Sequence, residues 1–137
     1  MPLPARELID AALGGTPYFA RAIELLAAAE ARQSDECCAV WAEHDGAATA
    51  LAFVGLVAGA QGAGRIHLLL GRDPHLVARA CDVLRAMNAR FAMAEWPDDA
   101  SFADAIRRLR EEGFEEEARI PDFHRPGVDQ IFLRRDL

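Results

Sequence analysis

Between Arg65 and Ile120 the chain passes twice from a short apolar, strand-like run into an amphipathic helical segment and back. No other feature constrains the fold as much. Arg65 to Leu70 (R-I-H-L-L-L) reads as a strand. Asp73-Pro74 stops it and opens a helix from His75 to about Arg90, with Leu76, Val77, Ala80, Val83, Leu84 and Met87 at helical spacing. Phe91 to Glu95 is the next strand. Ser101 to Glu112 is a second helix, expected to be capped by Ser101, with Asp104 three residues on and Gly113 after its end. Phe114 to Ile120 is a third strand. A helix between two strands acts as a crossover that links parallel neighbours, so parallel pairing is expected in the middle of the sheet.

The flanking segments read as antiparallel. Cys37 to Glu43 and Ala47 to Val57 are strands joined by His44-Asp45-Gly46, in which Asp-Gly is the hairpin signal. Gly59 to Gly64 is a glycine-rich bend. Ahead of these, Pro4 to Leu13 is a short helix ended by Gly14-Gly15. A second helix runs to about Gln33, with Thr16 as its N-cap and Pro17 in the first helical position. Phe19, Ile23, Leu26 and Ala27 are expected on its inner face. Asp122 to Gly127 is a loop, and Val128 to Arg134 the last strand. The expected order is α-α-β-β-β-α-β-α-β-β, an α/β (α+β) fold with a mixed six- or seven-stranded sheet flanked by helices. At 137 residues this is one domain, residues 1–137, able to bury about two thirds of its unfolded surface.

Composition narrows the chemistry. The net charge of −7 disfavours a nucleic acid or an anionic membrane as partner. All 15 basic residues are Arg. The absence of Lys excludes Schiff-base enzymes. With 28 Ala, it reads as the coding bias of a GC-rich, bacterial genome. Cys37, Cys38 and Cys81 are odd in number and two are adjacent, which suits a reducing compartment. Neither C-x-x-C nor H-x-x-x-H occurs, so no metal site is expected. The start, M-P-L-P-A-R-E-L-I-D, lacks the apolar run of a signal peptide. The apolar stretch Ala47–Ala60 is too short to span a bilayer. A cytoplasmic protein with no membrane partner is the expectation.

The C-terminal stretch, Leu109 to Leu137, carries a family pattern. From Gly113 to Asp129 it reads G-F-E-E-E-A-R-I-P-D-F-H-R-P-G-V-D, followed by a final strand that ends in basic residues and Leu. This resembles the end of a GNAT-superfamily N-acetyltransferase, and the element order agrees. The resemblance runs from about Cys37 to the C-terminus; the family's first strand is not evident. It implies two neighbouring parallel strands splayed in a V, here Arg65–Leu70 and Phe91–Glu95. Acetyl-CoA as co-substrate would lie in the V, its pantetheine arm pairing with strand backbone. The pyrophosphate would sit on backbone N–H groups at the start of the following helix.

On that resemblance the cofactor-binding residues are Leu69, Leu70, Gly71 and Arg72, then His75, Leu76, Val77, Ala78, Arg79 and Ala80. A bulge near Leu69–Gly71 would aim a backbone N–H at the thioester oxygen. Two departures stand out. Ala78 occupies a glycine position of the family's phosphate loop, and its Cβ intrudes where bare backbone should face the pyrophosphate. Leu109 occupies the position of the usual tyrosine general acid. Glu95, at the mouth of the V, is the candidate catalytic base for amine deprotonation; the alternatives are a solvated strand-end carboxylate, or one paired with Arg65 or Arg72. Tyr18, Trp96 and His124 are candidate acceptor-binding residues, each with a purely structural alternative. His67 is expected to be a buried, satisfied histidine sharing a face with Leu69. Glu111, Glu112 and Glu115–Glu117 read as a solvated face. The implied activity is transfer of an acetyl group to a primary amine of a small molecule or peptide. The alternatives are a domain of this fold that has lost efficient catalysis and serves as a binding or dimerising module, and a domain for another acyl-CoA or anionic ligand. The resemblance also implies a homodimer through the terminal strands as one oligomeric arrangement.

Overall fold

The computed structural model describes residues 5–32 and 34–137. Its elements follow the expected order: α1 (Ala5–Leu13), α2 (Phe19–Ala31), β1 (Cys38–His44), β2 (Ala47–Leu56), β3 (Ala63–Gly71), α3 (Leu76–Ala86), β4 (Phe91–Pro97), α4 (Ala103–Glu111), β5 (Glu115–Arg125) and β6 (Val128–Asp136). They build a six-stranded mixed sheet in the order β1-β2-β3-β4-β6-β5. β1, β2 and β3 form an antiparallel meander, β4 joins β3 in parallel, and β6 inserts antiparallel between β4 and β5.

The topology dictates which helix covers which face. The α3 crossover links parallel β3 and β4. The α4 crossover links β4 to β5, which also run parallel, one strand further the same way. Right-handed crossovers made in one direction fall on one face, so α3 and α4 lie together. Helices α1 and α2 cover the other. With both faces covered, β2 can be apolar without alternation, and Ala50 through Val54 are all 0% exposed. β5 is the opposite case: an outer edge strand, exposed at every residue.

The central feature is a fork. β3 and β4 pair only at Ala63–Phe91, Gly64–Ala92 and Arg65–Met93. Beyond this, β3 stays on β2 as far as Gly71, and β4 stays on β6 as far as Pro97. The cause lies in β3. Its register with β2 skips from Phe53–Leu68 to Val54–Ile66, which makes His67 an extra, bulged residue. A bulge bends its strand and increases the local twist. Here it does so immediately past the last pair with β4.

Several local expectations are corrected. Helix α2 begins at Phe19, not Pro17; the Thr16 hydroxyl donates to the Leu13 carbonyl (2.6 Å) and accepts from the Tyr18 N–H (3.3 Å), so it closes a turn before the helix. The buried face of α2 is Ala22, Leu25, Leu26 and Ala29; Ala27 is exposed, and Phe19 and Ile23 are half-buried. Helix α3 stops at Ala86 because Asn88 takes the left-handed conformation (φ 65°). The cap ahead of α4 is Asp99, whose side chain accepts from the Ser101 N–H at 2.9 Å; Ser101 itself lies in a short 3-10 turn, Ala100–Phe102. β5 continues to Arg125, through the segment expected as a loop. The bulge near Leu69–Gly71 is instead at His67, which shifts that residue out of simple alternation with Leu69. The expected helix limits at Pro4 and Gln33 lie outside the described residues. The Asp45-Gly46 hairpin turn forms as expected, with φ of 51° and 79°.

Candidate active site

The fork opens on its α2 side into a cavity of about 350 Å³. Arg65, His67 and Glu95 reach it from the sheet. Tyr18, Arg21 and Leu25 reach it from the α2 side, and Trp96, Phe102 and His124 complete the wall. The strand-and-helix alternation thus brings the candidate base Glu95 and the candidate acceptor residues Tyr18, Trp96 and His124 around one space.

Glu95 is partly buried and its Oε1 lies 3.3 Å from Arg65 Nη2, so the pairing is with Arg65 and not Arg72. Arg65 Nε is buried without a hydrogen-bond partner. His67 is half-buried; its Nε2–H donates to the Glu36 carbonyl at 2.8 Å, since a carbonyl can only accept. Burial pushes its pKa down, so the ring is neutral at neutral pH. Tyr18 belongs to a cluster that joins three segments. Its hydroxyl donates to Asp99 Oδ2 (2.9 Å) and accepts from Arg125 Nη1 (3.1 Å), and Arg125 also reaches Asp99 directly. Burial pushes the Tyr18 phenol up. The Asp99 carboxyl is held down at about 2, first by the Ser101 N–H and then by Tyr18 and Arg125. His124 Nε2–H donates to Gln130 Oε1 at 2.6 Å, and its ring meets Tyr18 edge-on.

Trp96 does more than pack. It is 2% exposed, and its indole N–H donates to the Ile66 carbonyl at 3.1 Å. Ile66 is the first residue of β3 past the pairing with β4, so the indole spans the apex of the fork. Nothing in the sequence marks this bond, because it crosses two strands.

The far side of the fork fits acetyl-CoA in one half and poorly in the other. From Leu68 to Leu70, β3 has no strand on its β4 side, so its backbone is free to pair with an extended ligand arm. Gly71, at φ 80°, then turns the chain out of the sheet. At the start of α3 the side chains of Leu76, Val77 and Ala80 are core, while His75, Arg72 and Arg79 are exposed and Ala78 is half-buried. The phosphate end is partly occupied by the chain itself. The Asp73 carboxylate accepts the His75 N–H (2.8 Å) and the Asp73 carbonyl accepts the Leu76 N–H (3.3 Å). This leaves the Val77 and Ala78 N–H groups of the first turn for an anion. An aspartate at a helix start stabilises the helix but repels phosphate. Arg108 of α4 donates to the carbonyls of Gly71 (2.5 Å) and Asp73, tying α4 to the same loop. Leu109 is fully buried, so no hydroxyl stands at that helical position. Arg108, Asp99 and Arg125 are not distinguishable from solvated charges in the sequence, and Asp73 is marked there only as a helix start.

Among the described residues there is no cluster of metal-ligating side chains, and no helix is long and apolar enough to cross a membrane. No family model matches the sequence, and no curated protein matches it. Solved structures do match. A GNAT-family acetyltransferase structure from Desulfovibrio desulfuricans superposes with a TM-score of 0.79 at 20% identity, over 99% of this chain and 95% of that one. The yncA acetyltransferase structure from Salmonella typhimurium, solved with acetyl-CoA, gives 0.76 at 19% identity, over 100% and 90%. A ribosomal-protein-alanine N-acetyltransferase from Brucella melitensis gives 0.73 at 15% identity, over 100% and 96%. The forked parallel pair, the strand inserted antiparallel beyond it and these superpositions lead to one conclusion: the chain has the fold of the GNAT-superfamily N-acetyltransferases.

Proposed function

We propose that this protein is an N-acetyltransferase that moves an acetyl group from acetyl-CoA to a primary amine of a small molecule or peptide. The observation that carries this reading is the fork with its cavity. A bulge-bent β3 offers free backbone on one side of the gap, and Glu95 stands at the wall of the other. Bound there, the thioester supplies an acetyl carbon open to attack by an amine. The backbone of Leu68–Leu70 would hold the pantetheine arm, and the Val77 and Ala78 N–H groups, with Arg72 and Arg79 nearby, would hold the phosphates. The chain's own part is to prepare the amine. An ammonium has no lone pair, and the Glu95 carboxylate, beside Arg65, can take its proton directly or through water. The Trp96, Phe102 and Tyr18 rings limit the water around that step. With Leu109 buried, this helical position supplies no acid for the departing thiolate; a thiolate is a fair leaving group without one, so the loss lowers the rate and does not forbid the reaction.

The second reading, a domain that has lost efficient catalysis and acts as a binding or dimerising module, is favoured by one set of contacts. The Asp73 carboxylate, the Ala78 Cβ and the Arg108 tether all lie at the phosphate end. Acetyl-CoA titration by calorimetry and a thiol-release assay with a panel of amines separate the two. The enzyme reading expects measurable binding and amine-dependent thiol release, cut about 100-fold or more by Glu95→Gln with acetyl-CoA affinity nearly unchanged. Absence of acetyl-CoA binding, or Glu95→Gln turnover equal to that of the native protein, would overturn it.

A further inference from the structure

The charge inside the acceptor cavity constrains what can enter it. Its lining carries Arg21, Arg65 and Glu95; Arg21 is largely exposed and pairs with Glu24 at 3.3 Å, so the opposed charges that face the cavity are Arg65 and Glu95. His67 adds no charge at neutral pH, since burial holds it neutral. A polycationic amine would therefore find only one carboxylate, already held beside a guanidinium. An acceptor that carries a carboxylate beside its amine matches both charges.

The placement of the two opposite charges sharpens this. Arg65 Nη2 and Glu95 Oε1 are 3.3 Å apart, and the two side chains are 31% and 29% exposed. That single contact is longer than a good guanidinium–carboxylate bond and leaves donors of Arg65 uncommitted. Its Nε is the one buried side-chain nitrogen or oxygen without a partner among the described residues. Nε itself is buried, so the donors of Arg65 open to a ligand in the cavity are those of its partly exposed Nη end. Next to this pair the wall is aromatic. The Tyr18 and Phe102 rings meet edge-on at 5.0 Å, Phe102 and Trp96 lie 5.9 Å apart, and Phe123 stands at the rim with 58% of its surface exposed.

We infer that the acceptor is a free α-amino acid with an apolar side chain. Its carboxylate bonds Arg65, its amine faces Glu95, and its side chain lies on the Tyr18, Trp96 and Phe102 wall. In an α-amino acid the ammonium and carboxylate are separated by one carbon, which suits two adjacent protein groups of opposite charge. A peptide amino terminus lacks the carboxylate, and the remaining donors of Arg65 would stay uncommitted against it. The fate of the amine rests on the acetyl-transfer reading; the binding does not.

The test compares L-phenylalanine with L-phenylalaninamide, which keeps the amine and the ring and replaces the carboxylate by a neutral amide, both titrated at a pH low enough that both amines are protonated. Calorimetric titration of each into the native protein, without acetyl-CoA, needs no variant. The amino acid should bind at least tenfold more tightly than the amide, and Arg65→Met should erase the difference while Arg65→Lys keeps part of it. Equal or tighter binding of the amide, or binding of neither, would overturn the inference. Following product with acetyl-CoA added separates the two readings. Selective binding without N-acetylphenylalanine would leave the amino-acid site standing and remove acetyl transfer to it. Acetylation of the amide as fast as the acid would do the reverse.

Discussion

Replacing Asp99 by asparagine should weaken the fold by about 2 kcal/mol at pH 7, and the deficit should shrink as the pH falls. Asp99 sits where three segments meet: the entry to α2, the approach to α4 and the end of β5. Its side chain is 8% exposed. It accepts from the Ser101 N–H and the Tyr18 hydroxyl and pairs with Arg125. Together these hold its carboxyl at about 2, against an ordinary value of 3.8. A depressed carboxylate contributes stability above its unfolded pKa and loses it as the pH falls through the folded one. That depression corresponds to about 2.4 kcal/mol at pH 7, an upper bound, falling to roughly half of that at pH 3. For a domain of this size the change at pH 7 is about 5–10 °C in Tm. Asparagine keeps the shape and the acceptor for Ser101 but removes the charge. Urea unfolding of both proteins at pH 7 and pH 3 reads the difference. A deficit equal at the two pH values, or below about 0.5 kcal/mol at pH 7, would show that the charge of Asp99 is not what stabilises the cluster.

Two further perturbations follow from close approaches of backbone. Ala78→Gly should raise acetyl-CoA affinity about ten- to a hundredfold by restoring one charge-assisted bond to phosphate, and added salt should weaken the binding of both forms; calorimetry at low and high salt decides it. Gly55→Ala should destabilise by about 3 kcal/mol or more, because a Cβ there would run into the Glu36 carbonyl and come within 2.7 Å of the Asp35 oxygen. Those carbonyls are fixed by the Leu56 N–H (2.7 Å) and by His67, so they cannot move aside freely. A urea midpoint unchanged from the native protein would refute the close approach.

The order of elements was legible in the sequence because it rests on local physics. Asp73-Pro74 ends a strand, Asp45-Gly46 turns a hairpin, and a helix between strands forces a parallel crossover. The family pattern from Gly113 to Asp129 located the fork, and Glu95 fell at its mouth by position alone. Other features were decided only by tertiary contact. Thr16 and Ser101 both have the chemistry of helix caps, and the chain used Thr16 and Asp99 in turns outside the α-helices because packing set where each helix begins. The bulge moved to His67, since register against β2 is a property of two strands. The Trp96 indole on the Ile66 carbonyl and the Arg108 guanidinium on Gly71 join residues 30 and 37 positions apart. Arg65 is one arginine among 15 in the sequence. It becomes distinctive only when the fork sets it beside Glu95 with a buried, unpaired N–H. Spacing along the chain specifies elements, and a site is specified by what those elements bring within hydrogen-bond reach.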